Sequence, residues 1–206
     1  MRRRVKERLR LSCRTLPHPL DKGKEKMKSV LVHVCCAHCA AYTVEYWRQQ
    51  GYKVSALWYN PNIHPYTEHQ NRLEAMKSLA QKMDLPLTIS EGYDMIEYFR
   101  RVVGHESERC QHCFRLRLSK IAETARQMNF SAFTTTLLIS PHQKHELLRE
   151  IGEELAEEEG IEFLYADLRK HYSDSRHLTK PLDIYRQQYC GCIYSEWERH
   201  ANIKIK

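Results

Sequence analysis

The sequence predicts an α/β fold: a parallel sheet flanked by helices. Three observations carry this expectation. From Val30 onward, short apolar runs alternate with helical stretches, the pattern of successive βαβ units. The first apolar run, Val30-Leu31-Val32, ends in two adjacent thiols, Cys35-Cys36, with a helix beginning behind them. The chain of 206 residues has no internal repeat and no low-complexity linker, which suits one domain with a core of its own.

Each element has its own signal. Val54 to Tyr59 reads as a second strand, followed by a loop over Asn60-Pro61-Asn62-Ile63-His64-Pro65. A helix from about Thr67 to Met83 places Leu73, Met76, Ala80 and Met83 at core-facing spacing. Pro86 to Ile89 is a short third strand, and Asp94 is the candidate cap of a helix opening Met95-Ile96. Cys113 to Met128 reads as helix, Ala132 to Leu137 as a fourth strand that breaks at Ser140-Pro141. His145 to Glu159 is an acidic helix and Ile161 to Tyr165 a fifth strand. Periodicity then fades until Asp183-Ile184-Tyr185-Arg186, which leads into Cys190-Gly191-Cys192.

Composition narrows the class. Hydrophobic residues are 42% and charged ones 29%, ordinary for a soluble globular protein. No stretch approaches the roughly 18 continuous apolar residues of a membrane span, and no apolar segment follows the basic N-terminus as a secretory signal would. Residues 1–28 hold 11 of the 33 Lys and Arg but 3 of the 26 Asp and Glu. The net charge of +7 therefore belongs to this segment, and the rest is close to neutral. Residues 1–28 read as a basic, disordered extension, with a nucleic-acid arm as the sharper alternative and Cys13 as incidental. Residues 29–206 read as a single α/β domain with a Cys-rich site.

Eight cysteines without a secretory signal point to a reducing, cytoplasmic setting, where spaced pairs bind metal or do redox chemistry more often than they form structural bridges. Cys110-Gln111-His112-Cys113 has Cys-x-x-Cys spacing, which alone suits half a zinc site, a dithiol or chance. Arg109 and the following helix are expected to lower both thiol pKa values. With Cys35 and Cys36 the pair makes four thiolates, the ligand set of a 4Fe-4S cluster or a zinc ion. Adjacent ligands are unusual for structural zinc, which favours the cluster; core packing of Cys36 or Cys39 is the plain alternative. Cys190-Gly191-Cys192 would close a small, readily reduced disulfide ring, so a reversible dithiol is expected, with a second metal's ligand pair as the competing role. The histidines near these motifs, His33, His38, His112 and His142, are expected to pack or hydrogen-bond. Arg109, Arg115, Arg117, Lys120, Arg169, Lys170, Arg176, Lys180 and Arg186 form either solvated helix faces or phosphate contacts, and Tyr172, Tyr185 and Tyr189 could stack on bases.

Four blocks together resemble a known family, the cobalamin-independent epoxyqueuosine reductases of the QueH type. They are Val32 to Cys39, Glu108 to Leu118, Thr134 to Gln143 and Tyr185 to Ser195, in family order over about residues 29–196. The resemblance implies an adenine nucleotide alpha-hydrolase-like (HUP-like) fold. It also implies the last step of queuosine synthesis, reduction of epoxyqueuosine at the wobble position of a tRNA with a GUN anticodon, fed by an external electron donor. By the same resemblance, Cys35, Cys36, Cys110 and Cys113 hold a 4Fe-4S cluster, Cys190 and Cys192 form a redox-active disulfide, and an additional iron ion sits near the cluster. Cys39 departs from the family, some members of which carry a carboxylate there, and is the candidate additional ligand. Ser140, Gln143, Arg117 and Arg186 are the expected substrate contacts, and His38 a candidate proton donor. Two rivals remain. A tRNA-thiolating enzyme needs a Ser-Gly-Gly pyrophosphate loop after the first strand, where this chain has Cys35-Cys36-Ala37-His38. A zinc-stabilised RNA-binding module would carry zinc without iron or sulfide.

Overall fold

The computed structural model describes residues 28–203 and Ile205. The basic extension, apart from Lys28, lies outside the described residues, and so does the reading of Cys13. Five strands form one sheet in the order β3-β2-β1-β4-β5. They are β1 (Ser29–His33), β2 (Lys53–Trp58), β3 (Leu87–Ile89), β4 (Ala132–Thr135) and β5 (Glu162–Phe163), and every pairing is parallel. The helices between them are α1 (Ala37–Gln49), α2 (Tyr66–Lys82), α3 (Met95–Val102), α4 (Arg109–Gln127) and α5 (His145–Glu159); α6 (Tyr172–Thr179) and α7 (Ile193–Ala201) follow β5. The parallel α/β architecture expected from the alternation of runs is the one found.

Strand alternation explains the two layers. Successive side chains of β1 point to opposite faces. Val30 and Val32 pack with Val44 and Trp47 of α1 and with Leu73, Met76 and Leu79 of α2. Leu31 packs on the other side with Leu118, Ile121 and Ala125 of α4 and Leu148, Ile151 and Leu155 of α5. His33 shares Leu31's face by the same alternation, which turns its imidazole toward α4. Both faces of β1 are thus covered, as a central parallel strand requires, and Val30 through His33 are fully buried.

Several boundaries differ from expectation, each for a local reason. β4 ends at Thr135 because its hydroxyl accepts from Leu137 N at 3.2 Å and caps a 3-10 turn over Thr136–Ile139. α4 begins at Arg109 rather than Cys113, so Cys110 and Cys113 sit three residues apart on its first turns. Asp94 precedes α3 without a side-chain cap bond; its Oδ2 accepts from the Tyr59 hydroxyl at 3.3 Å instead. β5 is two residues long, and α6 and α7 occupy stretches where the periodicity gave no helix. No helix among the described residues is long and apolar enough to cross a membrane.

Gly152 shows how closely α5 lies on the sheet. A Cβ there would fall well inside van der Waals contact with the ring of Phe163, which is packed against Phe133 with centroids 5.1 Å apart. Replacing a helical Gly with Ala ordinarily stabilises by about 1 kcal/mol, but overpacking costs about 1–3 kcal/mol. Gly152→Ala is therefore expected to lower the urea midpoint rather than raise it, and Phe163→Leu in the same chain to recover part of the loss.

Candidate active site

β1 leads to β2 on one flank, and β4 pairs on the other. The strand order therefore reverses between β1 and β4, and the loops leaving their carboxyl ends part there. Open α/β sheets bind ligands in that crevice. Cys35 and Cys36 leave β1 at this point. Cys35 N donates to Thr136 Oγ1 at 3.4 Å, and Cys35 Sγ lies 3.5 Å from the same hydroxyl, so the two parting loops are joined at the first thiol.

Three helix N-termini each carry a cysteine. Cys36 caps α1, its Sγ accepting from Cys39 N at 3.3 Å. Cys110 is in the first turn of α4. Cys192 caps α7, its Sγ accepting from Ser195 N at 3.3 Å. Caps of this kind are ordinarily Ser, Thr, Asp or Asn; sulfur fills the position here and meets the positive end of the helix dipole. The start of α4 is fastened to α7 through Arg109, whose guanidinium pairs with Glu198 at 2.6 Å.

Behind these sulfurs lies Arg117, 1% exposed. Its Nε donates to His33 Nε2 at 3.3 Å, one terminal nitrogen to Asn60 Oδ1 at 3.2 Å, and the other to Cys113 Sγ at 3.7 Å. The same Nε2 lies 3.3 Å from both Tyr59 O and Asn60 Oδ1, and Nδ1 lies 2.9 Å from Thr135 Oγ1. Burial and the Arg117 charge together push the His33 pKa down to about 3, so the imidazole is neutral. No carboxylate pairs with Arg117 among the described residues. Burial works against its charge, and the sulfurs of Cys113, Cys35 and Cys190 more than offset that cost. Arg117 is thus neither a solvated helix residue nor a wall of the pocket; it is a buried cation facing thiols.

The thiols divide. Hydrogen bonds from Cys36 and Cys39 hold Cys35 well below the usual thiol range, with Arg117 and His33 adding to them against burial. Cys36 is pushed up to about 12, first by its hydrogen bond to Cys35, and Cys39 rises for the same reason. Burial pushes Cys113 up to about 12 despite Arg117 and raises Cys110 despite Arg109 and Lys144. The expectation that Arg109 and the helix start would lower both thiols is corrected here, because desolvation outweighs them. A coordinated metal reverses that balance, since it deprotonates a ligating thiol.

The loop carrying Cys190 is held through its main chain. Arg72, 2% exposed, forms an ion pair with Glu68 at 2.6 Å and donates to the carbonyls of Cys190 and Tyr189, each at 3.0 Å. His64 N donates to Gly191 O at 2.8 Å, and the Tyr189 hydroxyl donates to His64 O. Gly191 has φ +127°, and a Cβ would stand 3.1 Å from Ile63 Cγ1 and 3.3 Å from an Arg72 nitrogen, so glycine is required on both counts. Cys190 and Cys192 are free thiols, the first exposed and the second buried.

A cavity of about 630 Å³ opens beside these thiols, lined by Cys35, Cys39 and Cys190 and by residues of α6, α7 and the Arg186–Tyr189 segment. Arg72, Arg176, Arg186 and Arg199 give its wall four guanidinium groups against one carboxylate, Glu198, which Arg109 already pairs. Of the expected substrate contacts, Ser140, Gln143 and Arg186 line it and Arg117 does not. Gln143 Nε2 points to Cys190 Sγ at 3.5 Å. His38 lines it as well, its pKa lowered by burial, with Nδ1 against Thr179 Oγ1 and Nε2 without a partner. Arg72, Asn60, Gln187 (Nε2 2.9 Å from Cys36 Sγ) and the inward turn of His33 escaped sequence reasoning. Only His33 left a signal, its place on Leu31's face of β1.

Sheet, switch point and gathered thiols define a HUP-like α/β protein with a multi-thiol centre at the carboxyl edge of its sheet. A solved structure described as a predicted subunit of tRNA methyltransferase, from Methanocaldococcus jannaschii, has the same fold, with a TM-score of 0.51 and 14% identity over 74% of this chain and 76% of that one. The family model for epoxyqueuosine reductase QueH matches residues 30–198. The epoxyqueuosine reductase QueH of Dehalococcoides mccartyi is 55% identical over 170 residues, covering 82% of this chain and 93% of that protein. The Thermotoga maritima protein of the same description is 34% identical over 193 residues, covering 87% and 98%. The chain belongs to the epoxyqueuosine reductase QueH family, whose members are oxidoreductases acting in tRNA modification.

Removing Arg72 leaves Glu68 buried and unpaired, which costs about 3–5 kcal/mol in comparable sites. Arg72→Leu is expected to lose that much in chemical unfolding and to speed alkylation of Cys190. The double variant Arg72→Leu/Glu68→Leu is expected to regain most of the stability while keeping the faster alkylation.

Proposed function

We propose that this chain reduces epoxyqueuosine to queuosine in tRNA bearing a GUN anticodon, in the cytoplasm, with electrons from an external donor. In this reading Cys35, Cys36, Cys110 and Cys113 hold a 4Fe-4S cluster, Cys39 is a further ligand for an additional iron, and Cys190 with Cys192 is a redox-active pair. The observation that carries the reading is Arg117. A guanidinium stays charged in any protein, its burial costs several kcal/mol, and sulfur is the anionic partner beside it. Thiolates ligating iron supply that partner permanently, whereas free Cys113 at about 12 does not. The adjacency of Cys35 and Cys36 favours a cluster over one zinc ion, since structural zinc usually draws ligands two to four residues apart.

The reaction removes the epoxide oxygen as water and leaves an alkene, consuming two electrons and two protons. A cluster and iron bound there would supply single-electron transfer and Lewis acidity toward oxygen. The chain supplies the rest. Arg72 fixes the main chain under Cys190, and Gln143 orients its sulfur. Arg176, Arg186 and Arg199 present cations to the tRNA phosphates at the mouth of the cavity. Ser140 stands at the carboxyl edge of the sheet, with its hydroxyl accepting from His142 N at 3.3 Å, placed to meet the modified base. His38, whose pKa is lowered by burial, lines the cavity and has a buried, unpartnered Nε2, which makes it the candidate proton donor.

Nucleoside mass spectrometry of tRNA tests this. A strain whose only copy of this gene carries Cys110→Ser is expected to accumulate epoxyqueuosine and to yield protein depleted in iron and sulfide. Cys190→Ser is expected to accumulate epoxyqueuosine with iron and sulfide retained. Undiminished queuosine in the Cys110→Ser strain would sink the assignment.

A further inference from the structure

Around Cys110, from His105 to His112, a second group of potential ligands converges that the cysteine reading does not use. One ligand atom each from His105, Glu108 and His112 lies within 4.8 Å of the other two. This is the only such grouping of three or more His, Cys, Asp or Glu residues among the described residues. Local structure explains it. A 3-10 turn over Glu106–Glu108 runs directly into α4, so residues 105, 108 and 112 fall on one face at steps of three and four.

The three groups are also unspent. The neighbouring acid, Glu106, turns back to accept from Gly104 N at 3.0 Å, and Arg109 is committed to Glu198. Glu108 therefore has no ion pair among the described residues. His112 Nε2 is buried with no hydrogen-bond partner, and the His105 and His112 rings stand 5.3 Å apart between centroids without bonding each other. Burying an imidazole nitrogen unpaired is costly; an ion bound through that nitrogen would remove the cost. His105 and Glu108 are exposed, which leaves open positions for water on an ion held there.

We propose that His105, Glu108 and His112 form a site for a divalent transition-metal ion, separate from the cysteine centre. Two imidazoles and one carboxylate suit zinc or its first-row neighbours, and not the all-oxygen preference of magnesium or calcium. An ion bound there ties the turn after Gly104 to the first turn of α4, the turn that carries Cys110. The proposal does not depend on which reaction the thiols perform.

The probe is zinc, added to anaerobically purified full-length protein with its own iron and sulfide in place and measured by elemental analysis after desalting. Wild-type protein is expected to retain one equivalent more zinc than either His105→Ala or Glu108→Gln, with iron and sulfide equal in all three. Competition against a chromophoric zinc chelator is expected to read at least tenfold weaker binding in each variant. Both substituted residues are exposed; should His105→Ala lose its iron or its fold, His105→Asn serves in its place. Equal zinc in wild type and variants, or none retained by wild type, overturns the proposal.

Discussion

A guanidinium shut away from water and from every described carboxylate sets the terms for the rest of this molecule. Arg117 cannot shed its proton, so its surroundings must supply acceptors and negative charge. Acceptors come from the neutral ring of His33 and from Asn60, whose own amide donates to Val34 O at 2.9 Å. Negative charge must come from sulfur. That requirement ties the end of β1, the loop after β2 and the first turns of α4 into one unit, and makes the stability of the interior depend on the ionisation of its thiols.

The sheet order and the helix starts serve the same end. β1, covered on both faces, ends at the reversal of strand order, so the loop behind it is rigidly placed yet open to ligands. Cys36, Cys110 and Cys192 sit where three helix dipoles present their positive ends. Aligned backbone amides do not overcome the hydrogen bond from Cys35 at Cys36 or desolvation at Cys110, and both thiols remain raised. They stabilise the thiolates once something else removes the protons. Charge organised in this way favours occupancy by a cation over bare ionisation.

Much of this was legible in the sequence because it rested on periodicity. The alternation at Val30-Leu31-Val32, the helical spacing of Leu73, Met76 and Ala80, and the thiol motifs are local patterns, and local patterns survive without coordinates. What failed depended on tertiary context. Arg72 has Glu68 four residues before it and reads as an ordinary surface pair, yet both are buried under a loop more than a hundred residues away. Arg117 lies among basic residues that look solvated, and only the register of α4 against His33 sends it inward. The fourth strand is shorter than its apolar run because Thr135 caps a turn rather than extending the ladder, a choice its sequence does not advertise. The apolar stripes of α6 and α7 are too short to stand out.

Arg72 grips the Tyr189–Cys190 segment by two carbonyl oxygens and by the face of the Tyr189 ring, 5.4 Å from its guanidinium carbon. At position 190 its hold is indifferent to the side chain, because only that residue's carbonyl is used. Shape and reactivity are thereby separated in this strap: the course of the chain is dictated from below by one cation and the missing Cβ of Gly191, while the tip that meets the cavity can be re-equipped without redrawing the path. A designer wishing to swap the sulfur at 190 for another nucleophile would inherit a ready-made perch.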